Sequence, residues 1–377
     1  MKKKLVVFPN DALLEYFNKG EIKERYFNPL NWFDEVHVIS LFDNEIESNK
    51  VKQLAGEGTL FIHKFDKVNL SNYKSYEKKI TNIISEINPM IIRSFNSRVQ
   101  GWLATKSGKK LNIPVVVSLH TNPQQQKQLA KKQKNYLQYL KLFYSSQKIE
   151  KFVLEHCDEV ICVYDFIVPF AKKMKAKNIS VIHNKVDLQK FVPDYSKKTI
   201  PPTIISVGRL ISQKQRFNII KAIKNLDVNL LIIGDGPDYD AYEKLIDSLE
   251  LNEKIKILKA ISNDKLPEYY TSSDIFALEL VDLDGIPIPF FEAMACGIPV
   301  VSTKHSNDYS EITDDAVSFV DNNPDSFEEI FTKILDNEIF RKDLQKKSLE
   351  IAKQVSIEKL EEKELQVYQK LISSMKK

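Results

Sequence analysis

Short apolar runs alternate along the chain with longer segments in which apolar residues recur at helical spacing. Continuous apolar runs are typical of strands buried on both faces of a parallel sheet. The pattern predicts strands at Lys4–Phe8, Glu35–Leu41, Thr59–His63, Met90–Arg93, Val115–His120, Glu159–Val163, Ile179–His183, Thr203–Val207, Asn229–Ile233, Ile255–Leu258, Ile275–Leu280, Pro299–Thr303 and Ala316–Val320. Helical spacing between them, as in Tyr73–Ile87 and Asp238–Leu249, predicts an α/β fold with helices on both faces of each sheet.

A polar, proline-bearing segment at residues 192–202 has no apolar periodicity and divides the strands into two series. We therefore expect two doubly wound, Rossmann-like domains, at residues 1–192 and 200–355. The tail, residues 356–377, predicts an amphipathic helix. Because open parallel sheets bind ligands beyond the carboxyl ends of their strands, the cleft between two such domains is the expected site.

Composition narrows the class of protein. The chain has 377 residues, 43% of them hydrophobic, which excludes a disordered or collagen-like chain. Its net charge of +4 is low for a nucleic-acid-binding protein. No apolar run is long enough to span a membrane, and the run after the basic start, Leu5–Phe8, is too short for a secretory signal. Three cysteines without paired spacing argue against disulfides or structural zinc, so we expect a cytoplasmic protein.

The loop after the strand Thr203–Val207 is the first candidate site. Gly208 follows the strand, and Arg209 and Lys214 lie on the same loop. A guanidinium offers a bidentate fork and an ammonium a point charge, a combination that suits a diphosphate. Arginine is scarce in this lysine-rich chain, so Arg209 is the stronger candidate, whereas Lys214 alone is equally typical of a solvated lysine.

The segment after the strand Ile275–Leu280 is the second and more specific candidate. Proline near its start and Gly297 at its end predict a helix between them. The helix start would be an anion-receptive position with free amides, at Gly285, Ile286, Pro287 and Ile288. Asp284 lies just before this helix, and Glu292 lies about two turns into it among apolar neighbours. A carboxylate in an apolar helix is rarely buried without a role or a partner, which favours a binding role for Glu292. Two carboxylates so placed, Asp284 and Glu292, could bind the hydroxyls of a sugar and of a ribose.

Histidines end strands of the first series. His120 lies at the carboxyl end of its strand, where cleft residues are expected, and His63 and His183 end two further strands. Each of them alone is more often a structural histidine than a catalytic one.

In order along the chain, these segments resemble the family 4 retaining glycosyltransferases, which have the two-domain GT-B fold. The resemblance covers most of the chain, and the ordered set is specific although each segment alone is common. It rests on Ile113–His120, Val181–Phe191, Val207–Leu210 with Gln213–Lys214, Ile233–Pro237, Leu266–Tyr270 with Ser273–Phe276, and Asp284–Glu292 as the family's E-x7-E motif, continued by Ala293–Val301.

The resemblance implies a role for each candidate. Arg209 and Lys214 would bind the nucleotide diphosphate, Glu292 the ribose hydroxyls, and Asp284 with the following amides the donor sugar. His120 would reach that sugar from the opposite domain. The first domain would be the acceptor side, onto which the tail helix crosses back, and the second would bind the donor.

The implied activity is metal-independent, retaining transfer of a hexosyl group. The donor would be a UDP- or GDP-sugar, used as substrate without a further cofactor. The acceptor would be a saccharide or a lipid-linked molecule in surface polysaccharide or glycolipid biosynthesis.

Several positions depart from the family's pattern. Asp284 stands where Glu is commoner, which shortens the reach of the carboxylate by one methylene and bears on sugar preference. Lys185 stands where Gly is usual. The family's paired glycines after the first strand are absent, and Lys19 and Gly20 are the candidate substitute.

Other functions remain open from sequence alone. Asp282 and Asp284 form a D-x-D pair, which in other glycosyltransferases chelates a divalent metal, but that class leaves Glu292 and the second strand series unexplained. The departures from the family's pattern are the support for an alternative, a catalytically impaired nucleotide-sugar-binding protein or glycosyltransferase subunit. A nicotinamide-dependent oxidoreductase would require a glycine-rich fingerprint that the first strand does not have.

Two lysine clusters bear on localisation and partners. They are Lys127, Lys131, Lys132 and Lys134, and Lys172, Lys173, Lys175 and Lys177. Both suit peripheral contact with the anionic inner face of a membrane, and both also suit solvated helix faces in a lysine-rich chain. We expect no nucleic-acid partner.

Overall fold

The computed structural model describes residues 2–18, 20, 22–42, 45–259, 261–281, 285–304 and 315–375. The chain forms two compact units: unit 1, Met1–His183 with Glu358–Lys377, and unit 2, Asn184–Ile357. The division falls after His183, ahead of the linker expected at residues 192–202. The reason is that Val186 pairs with Ser356 within unit 2, and the Ile357 amide donates to the Val186 carbonyl at 3.0 Å.

Unit 1 is built on a seven-stranded parallel sheet. Its strands are β1 (Lys4–Phe8), β2 (Glu35–Ser40), β3 (Thr59–Lys64), β4 (Ile91–Ser94), β5 (Val115–Leu119), β6 (Glu159–Cys162) and β7 (Ile179–Val181). Their order, β3-β2-β1-β4-β5-β6-β7, is doubly wound, with the switch point between β1 and β4. Leu5 to Phe8 of β1 are fully buried, which explains the continuous apolar run that predicts this strand.

Helices cover this sheet. They are α1 (Leu13–Asn18), α2 (Glu77–Ile87), α3 (Val99–Leu111), α4 (Pro123–Lys132), α5 (Tyr136–Tyr144), α6 (Lys151–His156) and α7 (Val168–Lys173). Asn88 and Asn112 follow α2 and α3 in the left-handed conformation, with φ of 51° and 53°, a helix stop that Asn tolerates better than most residues.

Unit 2 repeats the same winding. Its strands are β8 (Thr203–Val207), β9 (Lys214–Gln215), β10 (Asn229–Ile233), β11 (Ile255–Leu258), β12 (Ile275–Leu280), β13 (Val300–Thr303) and β14 (Val317–Val320). The parallel order is β11-β10-β8-β12-β13-β14, so the switch point lies between β8 and β12, while β9 pairs antiparallel with the end of β12.

The helices of unit 2 alternate with its strands. They are α8 (Phe217–Ala222), α9 (Tyr239–Ser248), α10 (Leu266–Ser272), α11 (Ile288–Ala295), α12 (Pro324–Asp336) and α13 (Glu338–Gln354). α12 shows why such a segment becomes a helix: Asn323 caps it by accepting from the Ser326 amide at 2.9 Å, and Pro324 begins it. Phe327 and Phe331, one turn apart, are fully buried, and truncating either to Ala would cost about 3–5 kcal/mol.

The last helix, α14 (Ile357–Ser374), returns the chain to unit 1. Leu360 and Tyr368 lie on its buried face, and the Tyr368 ring packs 6.1 Å from that of Phe33. None of the helices in the described residues is both long and apolar enough to cross a membrane.

Candidate functional site

Two glycine-bearing loops meet at the carboxyl ends of β8 and β10 in unit 2. The Gly208 amide donates to the Ile233 carbonyl, and the Leu210 amide to the Asp235 carbonyl, both at 2.9 Å. A Cβ on Gly234 would lie 2.1 Å from the Gly208 oxygen. A Cβ on Gly236 would lie 2.3 Å from the Leu210 oxygen, and all these glycines have positive φ. Glycine is therefore required here for close backbone packing, and it fixes the path of the loop after β8.

The other side of this loop is joined to β12. Lys214 and Gln215 form β9, in register with Leu280 and Glu279, and the Val281 amide donates to the Gln213 carbonyl at 3.0 Å. The loop after β8 and the end of β12 therefore lie side by side across the switch point, where doubly wound sheets bind ligands.

Arg209 and Lys214 form a cationic pair on this loop. Arg209 is exposed, whereas Lys214 is half-buried. Burial, together with the neighbouring charges of Arg216 and Arg209, lowers the pKa of Lys214 to about 8. In the part of the chain that the structure describes, no ion pair joins either side chain to a carboxylate. An anionic ligand at this loop would supply a counter-charge to the pair.

Arg216 is hydrogen-bonded to the backbone of the loop after β8. Its side chain is fully buried, and its guanidinium donates to the carbonyls of Gly208 and Arg209, each at 3.1 Å, and also to the Lys214 carbonyl. Its Nε donates to the Ser206 hydroxyl at 3.1 Å. One rigid fork thus ties both ends of the loop together. Burial lowers the pKa of Arg216 to about 10, so it stays charged at neutral pH.

Arg216 is not among the residues predicted from the sequence, although a signal for it is present. The scarcity of arginine that favours Arg209 applies equally to Arg216.

Glu279 of β12 is a second buried ionisable side chain near this loop. Its carboxylate accepts from the amides of Asn218 and Ile219 at 2.7 and 3.0 Å, at the start of α8. Burial raises the pKa of Glu279, while these amides and the Arg216 charge oppose that rise.

The predicted helix after β12 is α11, which begins at Ile288. Pro287 occupies its N-cap and Pro289 its first turn, and Gly297 follows its end with a φ of 69°. Pro287 has no amide hydrogen, so the expected row of donors from Gly285 to Ile288 is interrupted at that residue. Gly285 and Ile286 are buried. Asp284, expected to bind the donor sugar, and its neighbour Asp282 lie outside the described residues.

Glu292 is a buried carboxylate with defined partners in unit 2. It is 4% exposed, and it accepts from the Tyr270 hydroxyl at 3.0 Å and from the Asn263 amide at 3.1 Å. Lys190 donates in turn to the Asn263 side-chain oxygen at 2.7 Å. Burial and the neighbouring Glu292 carboxylate raise the pKa of Tyr270 well above its usual value, so its hydroxyl keeps its proton and donates.

His120 follows β5 in unit 1. Its ring stacks on that of Phe95, with centroids 6.3 Å apart. Within the described residues, its Nε2 has no hydrogen-bond partner. Burial, and then the Arg93 charge, lower the pKa of His120 to about 4, so the imidazole is neutral at physiological pH and offers one nitrogen for a hydrogen bond.

The remaining sequence candidates in unit 1 lie elsewhere. His63 Nε2 lies 3.1 Å from His37 Nδ1, and His183 Nδ1 lies 3.0 Å from the Val163 carbonyl oxygen, so both contact neighbours within the fold. Gly20, with a φ of 65°, follows α1 rather than β1, whose own loop is residues 9–12. Lys19 lies outside the described residues.

The chain matches two family models. The model described as glycosyl transferases group 1 matches residues 189–350, and the model described as glycosyltransferase family 4 matches residues 34–190. Among solved structures, HepE of Anabaena in complex with UDP covers 97% of this chain and 100% of its own, with a TM-score of 0.73 and 14% identity. The two parallel-sheet units therefore have the GT-B fold.

Two relatives show how far the likeness extends. An uncharacterized glycosyltransferase of Methanocaldococcus jannaschii is 25% identical over 344 residues, which are 89% of this chain and 90% of that protein. A GDP-mannose-dependent alpha-(1-6)-phosphatidylinositol monomannoside mannosyltransferase of Mycolicibacterium smegmatis is 27% identical over 137 residues, 31% of this chain. In that alignment the chain spans only 36% of the mannosyltransferase's length.

Proposed function

The chain belongs to the group 1 glycosyltransferases of family 4, and we propose that it moves a hexosyl group from a nucleotide-diphosphate sugar to a saccharide or lipid-linked acceptor. The observation that carries the proposal is the cationic pair Arg209 and Lys214, which has no carboxylate partner in the described residues and lies at the switch point of unit 2. Retention at the sugar carbon, independence of metal ions, and a place in surface polysaccharide or glycolipid biosynthesis are parts of the same proposal.

The pair suits the departure of a diphosphate. When the bond from the sugar carbon to the phosphate oxygen breaks, its electron pair leaves with the diphosphate, and the sugar carbon becomes positive. Lys214, with a pKa of about 8, is protonated at pH 7, and Arg209 is always charged. Because Arg216 holds the backbone carbonyls of both residues, the two cations stay close to this loop and would stabilise the developing charge, and losing one such contact typically costs ~10²–10³ in rate.

The other candidates would bind the sugar and nucleoside hydroxyls. Glu292 is held by Tyr270 and Asn263, and we propose that it accepts from the ribose. The neutral His120, whose Nε2 has no hydrogen-bond partner among the described residues, suits a sugar hydroxyl. The acceptor oxygen would form the new bond to the sugar carbon on the face that the diphosphate leaves, and its proton would pass to a phosphate oxygen.

The relatives guide the choice of substrates. One is GDP-mannose-dependent and acts on a phosphatidylinositol monomannoside, and the HepE structure contains UDP. We therefore propose a UDP- or GDP-sugar donor and include lipid-linked acceptors, reached from the cytoplasm by peripheral contact with the membrane.

The decisive experiment is a thermal-shift panel of UDP- and GDP-sugars, followed by donor turnover. A true donor raises the melting temperature by mass action, equivalent to about 2.7 kcal/mol at a concentration of 100 times its Kd. Arg209→Ala and Glu292→Ala should lose turnover while remaining folded. Lys221→Ala, an exposed lysine of α8 in the same unit, is the matched control and should retain it. Full turnover by Arg209→Ala would refute the site.

Three further readouts separate the alternatives. Unchanged turnover in excess chelator supports metal independence, whereas loss restored by Mg²⁺ or Mn²⁺ favours a metal bound by Asp282 and Asp284. NMR of the product's anomeric proton tests retention. Binding of a donor without turnover on any acceptor would favour the catalytically impaired binding protein instead.

A further inference from the structure

Helix α5 of unit 1 is apolar in sequence, yet none of its residues is buried. Tyr136, Leu137 and Leu140 are 63%, 67% and 61% exposed, and Phe143 and Tyr144 are nearly half exposed. At 3.6 residues per turn these five side chains lie within about 120° of the helix circumference. Single exposed apolar residues are ordinary, but a continuous stripe on one helix face marks a binding surface.

The stripe belongs to a well-formed helical hairpin. The Asn135 amide donates to the Ala130 carbonyl at 2.9 Å, at the end of α4. The Asn135 side chain caps α5 by accepting from the Gln138 amide at 3.1 Å. An isolated helix of this length is marginal in water. These contacts, together with the largely buried helical segment Ser145–Glu150 that continues α5, hold it in place while its apolar face is exposed.

The charge around the stripe has one sign. Residues 121–149 contain no Asp or Glu, and they contain the lysines Lys127, Lys131, Lys132, Lys134, Lys141 and Lys148. All but Lys127 are exposed. Since the whole chain has a net charge of only +4, this segment carries more than the entire net positive charge of the protein.

The partner that matches an apolar stripe rimmed by lysines is an anionic bilayer. Leu and Phe side chains enter the boundary between headgroups and acyl chains, Tyr lies at that boundary, and lysines extend to the lipid phosphates. A second copy of the chain would place like charge against like. A nucleic acid would leave the apolar stripe in water, and the segment has no arginine for phosphate or base recognition.

We propose that α5, with the lysines at residues 127–148, is the surface by which unit 1 binds an anionic membrane. Membrane binding by α5 would bring the enzyme to a lipid-linked acceptor, and only this purpose rests on the proposed function. Of the two lysine clusters noted in the sequence, only the one beside α5 is assigned to membrane binding. Next to the other cluster, Lys172–Lys177, the apolar residues Phe170 and Ala171 of α7 are buried, so no exposed apolar stripe accompanies it.

The test is flotation with vesicles of phosphatidylcholine, with or without about one third phosphatidylglycerol, at ~0.1 M and ~0.5 M NaCl. One pair of variants compares Leu137→Ser/Leu140→Ser with Val192→Ser/Ile339→Ser, two exposed apolar residues of unit 2. The other pair compares glutamine at Lys131, Lys132 and Lys134 with glutamine at Lys172, Lys173 and Lys177. All these residues are exposed, so circular dichroism should confirm that each variant folds.

Wild type should float with the anionic vesicles and much less with neutral ones or at high salt. The α5 serine variant should bind at least tenfold more weakly. The Lys131/Lys132/Lys134 variant should lose about 100-fold, at roughly fivefold per lysine, while both controls bind as wild type. Equal flotation of all variants overturns the proposal, as does a wild-type dimer in light scattering that the serine variant abolishes. No sugar donor is present, so failure here is distinct from failure of the proposed transfer, which a water-soluble acceptor tests.

Discussion

The Nε of Arg93 lies 3.2 Å from the Oε1 of Glu364, and both side chains are buried in unit 1. Arg93 lies in β4, and its charge contributes to the lowered pKa of His120. Glu364 belongs to α14 and also accepts from the Tyr368 hydroxyl at 2.6 Å. The last helix therefore contributes the counter-charge for a buried arginine near the strand end that carries His120.

Glu364→Gln should destabilise unit 1, because the substitution leaves the Arg93 charge buried without its counter-charge. Removing one partner of a buried pair costs about 3–5 kcal/mol. For a unit of this size, each kcal/mol lowers the melting temperature by roughly 2–4 °C, which calorimetry would resolve. Glu338→Gln removes an exposed pair with Lys342 and should change stability by less than about 0.5 kcal/mol. Equal melting temperatures for the two variants would contradict this account.

Donor use should fall as the pH rises above about 8. The positive form of Lys214 is the form that binds phosphate, and it is lost as the pH passes its pKa of about 8. A plot of kcat/KM for the donor should therefore decline toward tenfold per pH unit above that value, since it reports the free enzyme. In Lys214→Arg the decline should vanish up to pH ~9.5, because arginine keeps its charge. An identical alkaline decline in both proteins would exclude Lys214 as its source.

Arg216→Met should misplace the loop after β8. It removes the donors to three loop carbonyls, so the KM for the donor should rise at least tenfold, since small misplacements cost up to ~10². Because the Arg216 charge lowers the pKa of Lys214, the alkaline decline should also move to higher pH, an effect that general loss of stability would not cause. Arg341→Met, which removes donors to the carbonyls of Ile334 and Leu335 elsewhere in unit 2, should change neither quantity.

Tyr270→Phe should weaken donor binding more than it slows transfer. The substitution removes the hydroxyl that donates to Glu292, while the ring and its packing remain. Loss of a hydrogen bond to a charged group costs about 1.5–3 kcal/mol, which is roughly a 10–100-fold rise in the KM of the donor. The variant Tyr269→Phe, on the preceding residue, is the control. A rise in KM common to both variants would argue against a role for Glu292 in binding.

The strands of the fold are predictable because burial on both faces leaves a continuous apolar run. For β8, β10, β11 and β12 the predicted bounds agree with the structure, and the doubly wound order in both units is confirmed. β9 has only two residues, too few for any periodicity, and its pairing with β12 depends on a contact distant in sequence.

The candidate site is less predictable than the fold. Residue type and position pointed to Arg209 and Lys214, because a guanidinium and an ammonium on the loop after a parallel strand suit a diphosphate. The scarcity of arginine marks Arg216 as well, but its role could not be predicted because its partners are backbone carbonyls, which leave no pattern in the sequence. The neutral state of His120 likewise follows from burial and from Arg93, which only the three-dimensional structure brings near.

The return of α14 to unit 1 sets the order in which the protein can mature on the ribosome. Arg93 and Glu364 are 271 residues apart in sequence, with all of unit 2 between them. At a synthesis rate of about 5–20 residues per second, the arginine waits roughly 15–55 s for its carboxylate. Unit 2 can fold as soon as its own residues emerge, so the half of the protein that is made first is the half that is completed last.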